Sequence, residues 1–466
     1  MGRGSGRAEL AMAGPPGRCP DCAGPERGGG GTPPAVPLLG IAVDEGDVLP
    51  GALRLMRELR PGWEPGRVKT KLFTDGITNK LVACYTDEAM ADAVLVRVYG
   101  RKTELLVDRE TELRNFQVLR AHGCAPDLYC AFQNGLCYQF LPGIALGPSH
   151  VRDPHIFRLV AQEMARVHAI HANGSLPKPI LWHKLHKYLT LVKTELSPKV
   201  SNPSLQQDVP SLEMLEHELA WMQDTLSQLG SPVVLCHNDL LCKNIIYDRT
   251  REHVHFIDYE YTGYNYQAFD IGNHFNEFAG ELGSSLCHQR PLPGVCLSLG
   301  MEEAAGGVQP GEEKLWGDLI VAFLYLKGAD KKDGDRLLSR ACCDRTRGGG
   351  FELNSMTRSL AGVKEVDYRL YPSKETQLQW LRSYLQAYKQ LTQGERGGTG
   401  VSEEELEVLY VQVNKFSLAS HFLWACWGLI QDKYSTIDFN FLRYAKLRFK
   451  QYFKMKPVVT ALQISK

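Results

Sequence analysis

The run His237-Asn-Asp239-Leu-Leu-Cys-Lys-Asn244, followed at short distance by Phe256-Ile257-Asp258-Tyr259-Glu260, sets three oxygen-bearing side chains at a spacing that can do chemistry. Moving a phosphoryl group from ATP to a hydroxyl needs an acid that holds the acceptor OH in line. It also needs ligands for the metal ion that neutralises the β- and γ-phosphates. Asp239 suits the first role, as the catalytic residue. Asn244 and Asp258, the latter at the end of the next hairpin strand, suit the second and would hold Mg²⁺. An Asp/Asn turn ahead of a hairpin is the plain alternative, but it leaves the joint spacing of the three residues unexplained.

These residues need a lobe upstream to bring them a nucleotide, and the chain has the pattern for one. Short β-type runs at Val68–Phe73, Lys80–Tyr85 and Ala93–Val98 predict three antiparallel strands, and Leu128–Phe132 and Leu136–Phe140 flank an Asn134-Gly135 turn. Between them Asp108 opens a helical pattern carried by Leu113, Phe116 and Leu119. Downstream the periodicity is helical over Pro154–His171, Leu181–Thr194, Leu212–Leu229, Lys374–Leu391 and Ser402–Ile430. The last of these opens on the capping pair Ser402 and Glu405. The expected fold class is α+β: a two-lobed protein-kinase-like fold, with a small N-terminal antiparallel sheet plus one helix and a larger, mainly helical C-terminal lobe.

Within that frame the spacing from Asp239 to Asn244 resembles the His-Arg-Asp-Leu-x-x-x-Asn loop of protein kinases. Val94-Leu-Val-Arg97 then stands where those enzymes carry Val-Ala-Ile-Lys. Arg97 would meet the α- and β-phosphates through its guanidinium fork. A carboxylate on the following helix would hold it, Glu112 by its position seven residues before Leu119, with Glu110 the alternative. A solvated ion pair is the plain reading of the same residues. The loop Thr74-Asp-Gly76-Ile-Thr78-Asn79 has a single glycine, and only its place between two strands points to phosphate. Tyr138–Gly143, with Gln139 and Leu141, falls where a hinge would meet adenine.

Asn238-Asp239, Ile257-Asp-Tyr-Glu-Tyr261, Asp270-Ile-Gly-Asn-His-Phe275 with Glu277, and Ser420-His-Phe-Leu-Trp424-Ala-Cys-Trp427 together resemble the choline/ethanolamine kinase family. The likeness runs from about Val68 to Phe453 and is nearer to ethanolamine kinases, since Leu241 stands where choline kinases carry glutamine. It implies ATP and Mg²⁺ as cofactors and ethanolamine as a small-molecule substrate. The product would be phosphoethanolamine, at the first step of phosphatidylethanolamine synthesis by the CDP-ethanolamine route. A choline or mixed-specificity kinase is the runner-up. The likeness also implies an amine pocket of Glu277, Trp424, Trp427 and Tyr444, where aromatic faces and a carboxylate would meet an ammonium group. The tryptophans also continue the apolar stripe Leu406, Leu409, Val413 and Phe416, and a stripe of this kind is ordinarily core. Asp270 is expected to brace the catalytic loop through backbone hydrogen bonds. His168 and His171 read as helix packing, with no acidic or cysteine partner to complete a metal site.

Composition sets the outer limits. The chain has 466 residues, 53 Lys+Arg against 53 Asp+Glu, and 44% hydrophobic residues, so it is globular, and polyanion partners such as nucleic acid are not expected. The apolar stretch Phe416–Ile430 is too short for a bilayer span and reads as a buried helix, so no stable membrane insertion is expected. The basic end Lys446–Lys456 reads as the solvated face of a terminal helix. The 13 cysteines and the lack of an export pattern point to reduced thiols and a cytoplasmic location. Cys19 and Cys22 stand alone and read as a turn, not a zinc site. Whether chains pair as a homodimer is left open.

Residues 1–45, rich in Gly and Pro, are expected to form a disordered tail, followed by an ATP-binding lobe at 46–140 and a catalytic and amine-binding lobe at 141–466. Within the second lobe, residues 281–362 read as a poorly ordered insertion of 82 residues, of the kind that alternative splicing adds: Ala279-Gly280 recurs at its close as Ala361-Gly362. The octad Leu319–Leu326 is its one apolar run. If the ends of this block splay, Glu277 moves, and the chain becomes a catalytically impaired variant.

Overall fold

A computed structural model of the chain describes residues 36–73, 79–100, 103–171, 177–195, 209–279, 367–394, 400–435 and 439–463. The first lobe is built on a six-stranded sheet with β1 (Leu38–Leu39), β2 (Lys69–Phe73), β3 (Asn79–Tyr85), β4 (Val94–Tyr99), β5 (Leu128–Phe132) and β6 (Gly135–Gln139) in the order β1-β5-β6-β4-β3-β2. Helix α1 (Val48–Leu59) covers one face and α2 (Arg109–Ala121) lies toward the other. The central strand β4 is buried on both faces, which is why Val94–Val98 reads as an apolar run and not as an alternation. Its period of two still sorts the residues. Val94, Val96 and Val98 join Ala52, Leu55 and Met56 of α1, while Leu95 packs with Phe116 and Leu119 of α2. Arg97 therefore points to the α2 side, the side of the second lobe.

The expected tail needs a correction at its end. Residues 36–45 are part of the lobe: Leu38–Leu39 pair in parallel with Ala131–Phe132, so the sheet is mixed and not wholly antiparallel. Asn134 clamps Val43 at both backbone polar atoms, accepting from its N–H (2.9 Å) and donating to its carbonyl (2.8 Å). At the neighbouring Gly135 a Cβ would lie 2.0 Å from the carbonyl oxygen of Arg97, so the tight approach of this turn to β4 requires glycine. Helix α1 was not foreseen, because Pro50 and Gly51 interrupt its pattern. Pro50 sits in the first turn, where its missing N–H costs nothing.

The second lobe contains β7 (Ile144–Ala145), α3 (Pro148–Val151), α4 (Pro154–His168), α5 (Leu181–Glu195), α6 (Leu212–Ser227) and β8 (Val233–Cys236). It continues with β9 (Ile245–Asp248), β10 (His253–Phe256), β11 (Gly263–Tyr266) and α7 (Gln267–Asn276), then α8 (Lys374–Gln393), α9 (Glu403–Tyr434) and α10 (Phe441–Thr460). The capping box of α9 forms as expected, Ser402 Oγ accepting from Glu405 N–H and Glu405 accepting from Ser402 N–H. From Val411 to Gln431 this helix is buried on almost every side, against α5, α7, α8 and α10. A helix enclosed all round carries no amphipathic stripe in its middle.

Lys456 corrects the expectation of a solvated basic face, since its ammonium pairs with Glu218 of α6 (2.6 Å) and lies 3.9 Å from the centre of the Trp221 ring. No helix among the described residues is long and apolar enough to cross a membrane.

Cys19, Cys22, Leu319–Leu326 and the block 281–362 lie outside the described residues. The nearest described residues on its two sides are joined: Asp367 N–H donates to the carbonyl of Ala279 (2.8 Å). The two ends meet in one backbone hydrogen bond, and Arg152 fixes the adjacent Phe278 carbonyl (2.9 Å). A variant joining Gly280 directly to Val363 is expected to keep this fold and to unfold at an equal or higher temperature, because closing the longer loop costs about 2 kcal/mol. Thermal unfolding of the two chains side by side checks this; a lower midpoint in the joined chain would contradict it.

Candidate active site

The loop carrying Asp239 turns through the left-handed region at a residue type that tolerates it. Asn238 has φ of 67°, in the left-handed region, as does Asp258, also at 67°. At Asn238 side-chain bonds offset the cost. Its Nδ2 donates to the carbonyls of Cys236 (3.2 Å), Tyr261 (3.0 Å) and Gly263 (3.2 Å), and its Oδ1 accepts from Asn265 Nδ2 (2.8 Å). Asp270, on the first turn of α7, accepts the N–H of His237 (2.8 Å) and of Asn238 (2.7 Å). It braces the loop as expected and is directed to backbone, not to the cleft. The brace is charged: burial opposes ionisation of Asp270, but the hydrogen bond from His168 Nε2 (3.0 Å) and the loop N–H groups outweigh it, and its pKa is lowered.

His168 thus has an acidic partner after all, and Cys236 is close by, so the expected lack of acidic and cysteine partners is overturned. The second ring nitrogen of His168 bonds the Tyr384 hydroxyl (2.7 Å). Both nitrogens are engaged in packing, and His171 is exposed.

Asp239 follows this braced turn. Its carbonyl accepts from Asn244 Nδ2 (2.9 Å), which leaves the Asn244 side-chain oxygen as the donor for a cation. Asp258 lies beyond β10, fixed by the bond from Ile257 N–H to the Asn244 carbonyl (3.0 Å). His237 donates through Nε2 to the Ile257 carbonyl (2.9 Å), so the loop carrying Asp239 and the turn carrying Asp258 are tied at two points.

Arg97 reaches into this region from β4. Its Nη1 pairs with Glu112 (3.0 Å), and its Nη2 lies 2.7 Å from both Asp258 and Glu260. Glu112 is the buried partner and Glu110 is exposed, which decides between the two alternatives. Arg109 adds a second guanidinium, on Glu112 (2.8 Å) and Glu260 (3.1 Å) and over the Tyr99 ring (3.7 Å). Asn79 Nδ2 also donates to Glu260 (3.2 Å). Two arginines and three carboxylates therefore form one network across the lobes. Burial opposes the charge on Arg97, but Asp258, Glu112 and Glu260 outweigh it and raise its pKa; Arg97 and Arg109 in turn hold Glu260 low against burial. Glu260 and Arg109 were not singled out by sequence reasoning, although Glu260 stands in the quoted segment two residues after Asp258.

Of the remaining expected residues, Gly76 and Thr78 lie outside the described residues. Gln139 and Leu141 are partly exposed on the segment joining the lobes, where Gln139 Oε1 accepts from Asp127 N–H (3.3 Å).

Trp424, Trp427 and Tyr444 are gathered on the inner side of α9 and α10, Trp424 against Trp427 at 5.6 Å and Trp427 against Tyr444 at 6.1 Å, both edge to face. Each indole N–H has an acceptor: Asn273 Oδ1 for Trp424 (2.8 Å) and the Tyr261 hydroxyl for Trp427 (3.0 Å). These rings are core residues and ordered pocket candidates at once. Glu277, just past α7, is partly buried, and burial pushes its carboxyl up to about 7 against the pull of Arg448.

The electrostatics describe one cleft with an excess of negative charge. Burial raises Asp239 well above the usual carboxylate range, with Asp258, Glu260 and Glu277 adding to it and Lys184 opposing. Burial likewise lifts Asp258 to about 6, with Arg97 opposing. A carboxylate and an amide oxygen, Asp258 and Asn244, in a cleft of surplus negative charge are a hard-oxygen donor set that fits Mg²⁺.

A family model described as choline/ethanolamine kinase matches residues 70–289 and 354–453. The chain belongs to the choline/ethanolamine kinase family. It is 55% identical to ethanolamine kinase 2 of Rattus norvegicus over 93% of this chain and 88% of that one. To ethanolamine kinase 1 of Homo sapiens it is 48% identical over 92% and 77%. Among solved structures it is similar to an ethanolamine kinase of Plasmodium vivax, with a TM-score of 0.62, 22% identity and coverage of 88% and 89%. A choline kinase of Cryptosporidium parvum gives 0.59, 19%, 88% and 95%. These two show the shared fold: the α+β, two-lobed kinase architecture expected of this family. The family match leaves 290–353 between its two stretches, within the block read as an insertion.

In this kinase the bracing carboxylate can be tested apart from the chemistry. Replacing Asp270 by Ala removes two backbone acceptors and is expected to lower kcat about 100-fold by misplacing Asp239. Steady-state turnover of the folded variant measures it; turnover within about threefold of the parent would mean the loop holds without the brace.

Proposed function

We propose that this chain is an ethanolamine kinase that transfers the γ-phosphoryl group of ATP to the ethanolamine hydroxyl, with Mg²⁺ held by Asn244 and Asp258. The observation that carries the reading is the charge around Asp239: Asp258, Glu260 and Glu277 all act on it, and Tyr444, packed against Trp427, feels both Glu277 and Asp239. The relatives that bear the name ethanolamine kinase support the same substrate.

In this reading the ammonium of the substrate sits against Glu277 and the aromatic faces, each cation–π contact contributing roughly 0.5–2 kcal/mol. That anchors one end of a two-carbon molecule and leaves its hydroxyl at Asp239. As the acceptor oxygen bonds to the γ-phosphorus, its proton passes to Asp239, and the bond from phosphorus to the ADP oxygen breaks with its electron pair leaving on ADP. Bound Mg²⁺ supplies charge neutralisation at the phosphates. Gly76, Thr78 and Asn79 would cover those phosphates, and Gln139 and Leu141 would border the adenine. Arg97 is assigned first to positioning, since its Nη atoms are directed to Glu112, Asp258 and Glu260. The product, phosphoethanolamine, would enter the CDP-ethanolamine route.

The impaired-variant reading required the ends of the 281–362 block to splay and carry Glu277 away. The hydrogen bond between Asp367 and Ala279, two residues from Glu277, argues against that.

Purified chain with ATP, Mg²⁺ and each amine in turn tests the substrate: kcat/KM is expected to be higher for ethanolamine, and faster turnover of choline would overturn the choice. Asp239→Asn is expected to lower kcat by about 10²–10⁴ while nucleotide still binds; retained turnover would remove Asp239 from its role.

The pH dependence follows from Glu277. Its carboxyl is pushed up to about 7, and the ammonium binds the anion. The anionic fraction shrinks as pH falls through that value, while an aliphatic amine stays protonated. KM for ethanolamine is therefore expected to rise roughly tenfold per unit below about pH 7. A flat KM across that range would place the ammonium elsewhere.

A further inference from the structure

Lys184 lies in the first turn of α5, a segment fixed to the site by its backbone: Ile180 N–H donates to the Tyr264 carbonyl (2.9 Å) and Lys184 N–H to the Ile180 carbonyl (2.9 Å). The ammonium is partly buried and lies 4.7 Å from the centre of the Tyr261 ring. Tyr261 belongs to the braced site, since its carbonyl accepts from Asn238 and its hydroxyl accepts from Trp427. Among the described residues Lys184 Nζ makes no ion pair within 4.0 Å and no hydrogen bond, yet Asp239 and Glu260 are the carboxylates whose fields act on it.

The other cations of the cleft are differently placed. Arg97 and Arg109 are both directed to carboxylates. Arg448 is buried on the far side, donating to Ser420 (2.9 Å) and acting on Glu277. A cation held over Tyr261, within the field of Asp239 and with no hydrogen bond or ion pair among the described residues, is an arrangement for receiving an anion that arrives with the substrate. The transferred phosphoryl group is the anion that must come to Asp239.

We propose that Lys184 is a further catalytic residue of this kinase, its ammonium donating to an oxygen of the phosphoryl group as that group passes from ADP to the acceptor oxygen beside Asp239. The proposal rests on the phosphoryl-transfer reading above. No bond to Lys184 forms or breaks: the acceptor proton still goes to Asp239 and the electron pair still leaves on ADP. Lys184 stabilises negative charge on the oxygens in flight, in a site where water is scarce and such a donor is worth most. Burial lowers its ammonium to about 8, against the pull of Asp239 and Glu260, so it is still mainly charged at neutral pH. The Tyr261 ring holds the charge in place before substrate arrives.

The test uses the full chain with ATP, Mg²⁺ and ethanolamine. Lys184→Met removes the charge at similar volume and is expected to lower kcat at least about 100-fold, with KM for ethanolamine within about threefold and the unfolding temperature unchanged. Lys184→Arg keeps a donor and is expected to recover part of the loss. Folded Lys184→Met with kcat within about threefold of the parent would overturn the proposal, as would an effect confined to KM. Should the Met variant fail to fold, Lys184→Gln is judged by the same two outcomes. Parent chain that fails to phosphorylate ethanolamine would instead sink the function reading, and the two failures are thereby separate.

Discussion

The ion network on Arg97 is the constraint on which the site depends. Three carboxylates do not share a buried space unless positive charge holds them there, and both Arg97 and Arg109 come from the first lobe. Their carboxylates come from both lobes: Glu112 from α2, Asp258 and Glu260 from the turn after β10. The network therefore ties the sheet of the first lobe to the turn of the second lobe that carries Asp258. A pair of this kind gains little net stability, because desolvating the ions offsets most of their attraction. Its value is positional: breaking one partner strands the others, which makes any other lobe arrangement costly.

What the arginines hold together, Asp270 and Asn238 shape. The loop must turn sharply enough to present Asp239 to the cleft, and Asn238 does this in a left-handed conformation that a branched residue would resist. The strain is offset locally by four side-chain hydrogen bonds and by the Asp270 carboxylate on two N–H groups. Rigid support leaves the electrostatics free to be unfavourable at the catalytic carboxylate itself. The charges of Asp258, Glu260 and Glu277 all act on Asp239, an unfavourable arrangement that the proposed metal ion and ammonium would relieve. The cleft is thus built for bound charge.

Where physics is local, the sequence was legible. Strand β5 was read to the residue, β2, β3, β4 and β6 to within one, and the capping box of α9 from Ser402 and Glu405 alone, whereas β1 was missed. The catalytic spacing was legible for the same reason, since a hairpin of short strands carries Asp258 back to Asn244. Long-range partners were not. Nothing near Asn134 shows that it will clamp Val43, 91 residues away, so residues 36–45 were taken for tail. Arg109 and Glu260 are 151 residues apart, and their pairing depends on how the lobes close. The tryptophans were ambiguous because both readings hold: Trp424 and Trp427 are buried in the core and also ordered toward Asn273 and Tyr261.

Equal numbers of acidic and basic residues in the chain conceal a local imbalance that gives the cleft its direction. Glu277 acts on Asp239 from the end of α7, and Lys184 acts on it from the start of α5, with opposite sign. In the proposed reading, a substrate with an ammonium at one end and a hydroxyl at the other would meet attraction at Glu277 and repulsion at Lys184. Both terms favour the same orientation, with the hydroxyl toward Asp239 and the ammonium away from the incoming phosphoryl group. A reversed substrate would bring its ammonium toward that of Lys184 and leave Glu277 with only the pull of Arg448. In that reading orientation follows from charge placed at the end of α7 and at the start of α5, and the aromatic walls would need only to confine a molecule whose direction is already decided.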